Sequence, residues 1–137
     1  LPWDPEVTRR VAEAHGFRAD TAGPRTGYYD FADIDDDFIS IHHWMKWFKF
    51  GFTRLFDNLS LEIRNDRMTR DSAIDIIRRT GDQTPRADIE SFCRFAGVDT
   101  ARFFAIAESF RDPKVWQRGT DGIWRIPGFL VDDWAWA

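Results

Sequence analysis

The chain has 137 residues, which suits a single domain with a sizeable core. Its 19 Lys and Arg face 23 Asp and Glu, and the formal net charge of −4 gives no overall attraction to nucleic acid or to an anionic membrane surface. The 7 Trp and 13 Phe predict a core built from few but large aromatic side chains. This composition excludes disorder as the main state.

The sequence contains one cysteine, Cys93, so no disulfide can form within it. Apolar neighbours indicate that the Cys93 thiol is buried. No apolar run reaches the roughly 18 residues that a membrane-spanning helix requires. These features favour a cytoplasmic protein. Because the sequence begins at Leu1 rather than at methionine, we expect it to be part of a longer protein.

The first predicted helix begins at Asp4 and Pro5. Asp4 can accept hydrogen bonds from free amides, and proline is favoured at the first helical position. An apolar stripe follows at helical spacing, made of Val7, Val11 and Ala14. Gly16 ends this helix, and the turn-forming composition of residues 17–27 predicts a loop.

An acidic run over residues 33–37 is predicted to form the first turn of a second helix, where carboxylates oppose the positive end of the helix dipole. A metal site is the alternative, with His42 and His43 as nitrogen ligands. The spacing disfavours a metal site, because adjacent histidines on a helix point to different faces.

The segment WMKWFKFGFTR, residues 44–54, alternates large aromatic residues with cations. Apolar residues spaced by three and four positions predict two helices, over 34–48 and 52–65, that meet at a bend near Gly51. Three interpretations stay open: the segment is a packing centre of a helical domain, a surface that holds a charged ligand, or both. Its cations can extend from a packed helix without a function, or they can hold phosphate.

Three further short helices are predicted, each after a capping residue. They lie over 70–80 after Thr69, over 85–96 after Thr84, and over 101–111 after Asp99 or Thr100. Short helices with short links are typical of a compact helical array. Helix-turn-helix proteins share this pattern, but the acidic total and the lack of a basic recognition helix argue against DNA binding.

The sequence after residue 112 is less regular. Turns are predicted over 119–122 and 127–128, with an extended piece over 123–126 between them. The final segment, 134–136, contains two tryptophans that either dock on the core or form a contact surface. The fold class is therefore mostly α, a single domain over 1–137 with about five to six short helices and an irregular Trp-rich C-terminal tail.

The sequence contains no recognisable active-site motif. It has no glycine-rich phosphate loop, no Cys-x-x-Cys pair and no Gly-x-Ser-x-Gly or His-Glu-x-x-His segment. We therefore predict no catalytic residue and no metal ligand within this chain. Any role in catalysis would consist of contributing residues to a site built largely by another domain.

Two segments carry a family resemblance: KFGFTRLFD at 49–57 and IRNDRMTRDSA at 63–73. Together with residues 2–5, 92–95 and 122–125, they resemble, in the same order, the C-terminal part of the N-acetyl sugar amidotransferase family. That family belongs to the PP-loop ATP-pyrophosphatase group and takes part in the biosynthesis of lipopolysaccharide and other surface sugars.

The resemblance implies that an N-terminal α/β domain of the same protein binds ATP and Mg²⁺, with no cofactor bound by this chain itself. ATP would activate the acetamido oxygen of a nucleotide-sugar substrate, and ammonia from a glutaminase-type partner would convert the acetamido group into an acetamidino group. The motif match makes Lys49 and Arg54 the candidate substrate- or phosphate-binding residues. Asp57 would orient Arg54 or contact the substrate; alternatively, Asp57 and Arg54 form a surface ion pair.

The sequence departs from the family pattern where small residues are expected, at Thr53, Leu55 and Phe56. Bulk at these positions would crowd a close ligand, so we expect the isolated chain to be catalytically inert. Asp66 replaces an expected glycine, which aspartate tolerates because it adopts left-handed backbone conformations readily. A different function is also open: a stand-alone helical module that binds a protein or a sugar through exposed tryptophans.

Overall fold

The structure is a computed structural model that describes residues 3–81, 84–129 and 131. Its helices are α1 Pro5–Ala14, α2 Ile39–Phe50, α3 Arg54–Arg64, α4 Arg70–Thr80, α5 Arg86–Ala96 and α6 Thr100–Ser109. Two short antiparallel strands, β1 Gln117–Arg118 and β2 Trp124–Arg125, follow the helices. The predicted array of short helices is confirmed. The predicted tail over 134–136 lies outside the described residues.

Three of the predicted helix caps are confirmed by side-chain hydrogen bonds. They are Asp4 for α1, Thr69 for α4 and Asp99 for α6. In each case the side-chain oxygen accepts from a backbone N–H of the first turn, at 2.8–3.2 Å. These residues fix where the helices begin, because the first amides of a helix have no partner within it.

The acidic run over 33–37 does not form the first turn of α2, so that prediction is wrong. Asp33 adopts a left-handed conformation with φ 58°, and the side chain of Asp36 accepts from the N–H of Phe38 at 2.7 Å. Aspartate side chains compete with the helix for backbone amides in this way. The helix therefore begins only at Ile39.

Thr84 does not cap α5, in contrast to the prediction. The cap position is occupied by Pro85, and no side-chain hydrogen bond closes the helix there. The hydroxyl oxygen of Thr84 instead accepts from Nε1 of Trp44 at 3.2 Å. A tertiary contact has replaced the local one, because a buried indole N–H requires a partner.

Helix α2 lies at the centre of the fold and contacts α3, α5 and α6. One of its faces joins a core cluster formed by Ile41, Trp44, Phe48, Ile89, Cys93 and Ala107. The Trp44 ring packs edge-on against Phe48, with ring centroids 4.7 Å apart. The packing interpretation of the aromatic segment is therefore confirmed for these residues, and the Cys93 thiol is buried as predicted.

A second core cluster joins α3 to α4. It consists of Leu55, Leu59, Ala73, Ile77 and Val131. Trp47 extends from α2 toward this side of the molecule, where its ring packs against Trp116 and Phe129 at centroid distances of 4.9 and 5.5 Å. Helix α2 therefore contacts both core clusters and fixes their positions relative to each other.

The predicted bend at Gly51 is confirmed, since Gly51 ends α2 with φ 72°. Ile126 and Val115 pack directly over it, so that a Cβ at this position would lie within 2.8 Å of both side chains. The adjacent strands are held by the guanidinium of Arg111, which stacks on Trp116 at 4.3 Å and on Trp124 at 5.1 Å. The segment that follows α6, here called the C-terminal segment and including Val115 and Ile126, therefore packs on the bend.

The apolar stripe of α1 faces solvent. Val7 and Val11 are 48% and 58% exposed, whereas Pro5 at the start of the same helix is buried. The sequence predicted the stripe correctly, but in the described structure it packs against no other element. None of the helices within the described ranges is long and apolar enough to cross a membrane.

Two glycines that end helices offer a matched test of the packing at the bend. Gly51 and Gly97 both have left-handed backbones, with φ 72° and 66°, but only Gly51 has side chains against it. We expect Gly97→Ala to lower the free energy of unfolding by about 1–2 kcal/mol, the usual cost of this conformation. Gly51→Ala should cost about 1–3 kcal/mol more, because the new methyl group overpacks Val115 and Ile126.

Urea denaturation of both variants measures this difference. Equal losses of stability in Gly51→Ala and Gly97→Ala would show that the contact between the C-terminal segment and the bend contributes nothing.

Candidate functional site

The three candidate residues from the sequence lie in three different surroundings. Nζ of Lys49 lies 4.8 Å from the centre of the Phe110 ring, on the side of α6. Asp57 forms an ion pair with Lys46. Asp57 does not pair with Arg54 in the structure, because Arg54 pairs with Asp33 instead.

Arg54 is held by Asp33, with Nε to Oδ2 at 3.0 Å. The left-handed conformation of Asp33 turns its carboxylate toward the start of α3. His43 is buried in the same region, and burial lowers the pKa of its imidazole, although Asp33 opposes this shift. His43 is therefore neutral near pH 7, and its Nδ1 has no hydrogen-bond partner among the described residues.

Arg54 also lines a pocket of about 290 Å³ between α1, the loop before α2 and the start of α3. Phe17, Tyr29 and Phe31 form much of its apolar wall, and the exposed ring of Trp3 lies at its edge. Such a pocket, mostly apolar with a few polar groups, has the general character of a small-molecule site. It is a candidate site that includes one of the residues predicted from the sequence, Arg54.

Further polar residues that line this pocket are Thr8 and Arg9 from α1 and Asn58 from α3. Arg9 stacks over Phe31 at 5.0 Å and donates from Nε to Glu13 at 2.8 Å. Asn58 is 2% exposed. The loop passes so close to Asn58 that a Cβ on Gly27 would lie 2.3 Å from its Oδ1, which explains the glycine at that position.

A partly buried network beside the pocket connects α1 and the loop to α3. Arg67 donates to Glu62 at 2.7 Å and to Asp4 at 2.9 Å, while the hydroxyl of Tyr29 donates to Glu62 at 2.5 Å. The hydrogen bond from Arg67 holds the pKa of Glu62 below its usual value. Burial, followed by the hydrogen bond to the Glu62 carboxylate, raises the pKa of Tyr29.

The departures from the family pattern do not obstruct the pocket. Thr53 and Leu55 are buried, and Phe56 packs against the second core cluster and the Phe129 ring at 5.8 Å. None of these three residues lines the pocket. The expected crowding of a ligand by these side chains is therefore not found there. Asp66 adopts φ 56°, as expected for a residue that replaces a glycine.

Arg9 and Asn58 were not predicted as site residues. Asn58 could have been identified from the sequence, because it lies with Leu55 and Leu59 on the apolar face of α3. A polar side chain on such a face is costly unless it forms a hydrogen bond. Arg9 could not have been identified in this way, because an arginine on an amphipathic helix is ordinarily exposed to solvent. Their proximity depends on how α1 docks, which is a tertiary property.

The described residues contain no cluster of three or more His, Cys, Asp and Glu side chains suited to a metal ion. His42 is exposed while the neighbouring His43 is buried, which follows the expectation that adjacent histidines point to different faces.

Residues 25–128 match a protein-family model described as "LPS biosynthesis protein WbpG-like, C-terminal domain". The match covers more than half of the chain and includes Arg54 and Asn58, while α1 with Arg9 precedes it. No curated protein sequence matches the chain.

The ion network predicts a specific dependence of stability on pH. Because the pKa of Glu62 is lower in the folded chain than its ordinary 4.5, its stabilising effect is complete above about pH 4.5 and is lost as the pH falls through the folded value. Glu62→Gln should lower the free energy of unfolding at pH 7 by about 1–3 kcal/mol, because Arg67 loses a charged partner. Below pH 4 the difference from the wild type should shrink.

Denaturant unfolding at pH 7, 5 and 3.5 measures this effect. Asp75→Asn, which removes an exposed pair with Arg78, is the control and should cost less than about 1 kcal/mol at every pH. A pH-independent loss in Glu62→Gln would show that the Glu62 charge does not stabilise the fold.

Proposed function

Because the chain belongs to the WbpG-like family of LPS biosynthesis proteins, matching its C-terminal domain, we propose that it is the substrate-holding part of an ATP-dependent N-acetyl sugar amidotransferase. Membership of the family assigns the chain to lipopolysaccharide biosynthesis. The finer assignment of the reaction rests on the resemblance of residues 49–57 and 63–73 to amidotransferase sequences.

In the proposed reaction, the acetamido oxygen of a nucleotide sugar attacks the α-phosphorus of ATP, and pyrophosphate leaves. Ammonia from a glutaminase-type partner then adds to the activated carbon, and AMP departs with the former acetamido oxygen to leave an acetamidino group. The ATP- and Mg²⁺-binding machinery belongs, in this proposal, to an N-terminal domain of the same protein. The helical domain supplies cations and a shaped pocket that position the substrate.

The observation that best supports this role is the position of Arg54. It combines a fixed guanidinium, held by Asp33 at 3.0 Å, with a place in the wall of a pocket large enough for a small molecule. A guanidinium in such a place binds phosphate or carboxylate oxygens with defined geometry. Lys49 is exposed on the last turn of α2 and is proposed to act as a second, more distant cation. Asp57, paired with Lys46, is proposed to orient that lysine.

The alternative of a stand-alone binding module required several exposed tryptophans. Trp44, Trp47 and Trp116 are instead buried, at 2–4% exposure. They pack the core and cannot form a recognition surface. Trp3, at the edge of the pocket, is exposed. The tryptophans at 134 and 136 lie outside the described residues.

Isothermal titration of the chain with UDP-N-acetylglucosamine tests the proposed function. We expect saturable binding that weakens about tenfold or more in Arg54→Ala, because a charge-assisted hydrogen bond is lost. Lys49→Ala should weaken binding less, since Lys49 lies away from the pocket. ATP should not bind, because its site is assigned to the other domain.

Lys114→Ala is the matched control, because Lys114 is an exposed cation away from the pocket. It should bind as the wild type does. The proposal would be wrong if the nucleotide sugar did not bind, or if Lys114→Ala weakened binding as much as Arg54→Ala.

A further inference from the structure

The polar side chains around the pocket are arranged as hydrogen-bond donors. Arg9 and Arg54 contribute guanidinium N–H groups and Asn58 contributes a carboxamide, while none of the described lining residues carries a carboxylate. The hydroxyls of Tyr29 and Thr8, which also line the pocket, already donate to Glu62 at 2.5 Å and to the backbone oxygen of Asp4 at 3.2 Å. A ligand that fits this site therefore presents acceptor oxygens rather than donors.

Asn58 is the most informative of these residues. Its Oδ1 accepts from the backbone N–H of Tyr28 at 3.0 Å, and this bond fixes which end of the amide is which. Asn58 is 2% exposed and lines the pocket. Because the N–H of Tyr28 occupies the amide oxygen, the amide N–H groups are what this side chain offers to an acceptor atom of a ligand.

The arginines are held rigidly beside this amide. Arg54 lies one helical turn before Asn58 on the same face of α3, so both reach the pocket from one element. Arg9 approaches from α1, stacked over the Phe31 ring and anchored to Glu13. Because each guanidinium is already oriented by a carboxylate outside the pocket, little side-chain entropy is lost when a ligand binds.

The size of the pocket limits what it can hold. Its volume of about 290 Å³ lies just below the range for small-molecule sites, which is roughly 300–1,000 Å³. One ring with its substituents fits, whereas a complete nucleotide sugar does not. Phe17 and Phe31 belong to the apolar wall of the pocket, and the Arg9 guanidinium lies over the Phe31 ring.

We infer that this pocket receives the sugar ring of the substrate. Asn58 Nδ2 donates to the carbonyl oxygen of the acyl substituent that the ring carries. Arg9 and Arg54 bind the anionic group attached next to it, and the nucleoside lies outside. The identity of the ligand as a nucleotide sugar rests on the proposed function; the division between sugar and nucleoside rests on the pocket. Asn58 is thus a specificity-determining residue for the acyl substituent.

The substitution Asn58→Asp tests this inference. Aspartate keeps an oxygen that accepts from Tyr28 N–H but replaces the pocket-facing donor by an acceptor. We expect the affinity for UDP-N-acetylglucosamine and for N-acetylglucosamine 1-phosphate to fall about tenfold or more. The affinity for UDP alone should fall less, because the new charge repels phosphate in all three ligands but only the two sugar ligands lose a donated hydrogen bond. Asn65→Asp, at the end of α3 and away from the pocket, is the matched control.

A second pair of variants addresses α1. Arg9→Gln should weaken binding of both sugar ligands, whereas Arg10→Gln should not, because Arg10 does not line the pocket. Thermal denaturation of all four variants verifies that each is folded. If Asn58→Asp failed to fold, Asn58→Ser, which removes the carboxamide without adding a charge, would take its place.

The two possible failures are distinguishable. If the wild type and both pocket variants bind the sugar ligands equally well, the inference is overturned while the proposed function stands. If the wild type binds neither sugar ligand, the proposed function and the inference fall together. Equal weakening of binding to UDP and to the sugar ligands in Asn58→Asp would place the nucleoside in the pocket and also overturn the inference.

Discussion

The site depends on the hydrogen bonds that the guanidinium of Arg67 donates. It joins Asp4 at the start of α1 to Glu62 on α3, and Glu62 in turn holds the hydroxyl of Tyr29. Because the valines of α1 face solvent, the apolar stripe contributes little to the docking of this helix. The ion network takes over that role, and it thereby sets the distance between the two sides of the pocket. A charged network beside a pocket is costly to build but defines one geometry.

Helix α2 provides the rigid support for this arrangement. Trp44 enters one core cluster while Trp47 packs toward the other side of the molecule, so neither can move independently of the helix between them. Close packing of large rings resists small displacements, and the start of α3 is therefore held firmly beyond the Gly51 bend. The aromatic segment serves the site indirectly, as the frame to which Arg54 is attached.

Local signals were sufficient to predict that the helices exist, but they predicted neither the start of α2 nor the pocket. Caps such as Thr69 act within one turn, so the sequence contains their whole cause. Thr84 was assigned wrongly because its partner is Trp44, which lies 40 positions away. Arg54 was found by its motif, whereas Arg9 and Asn58 come together only when α1 docks. The sequence therefore identified Arg54, which lies in a local motif, but not Arg9 and Asn58, whose role depends on tertiary structure.

The exposed stripe of α1 has a thermodynamic consequence. The same short helix presents Val7 and Val11 to solvent and Arg9 to the pocket, so the two surfaces are connected through a single rigid body. A surface that covered the valines only when α1 is docked would stabilise the docked position. By linkage, it would raise the affinity of the pocket for its ligand by the same factor as the ligand would raise the affinity for that surface.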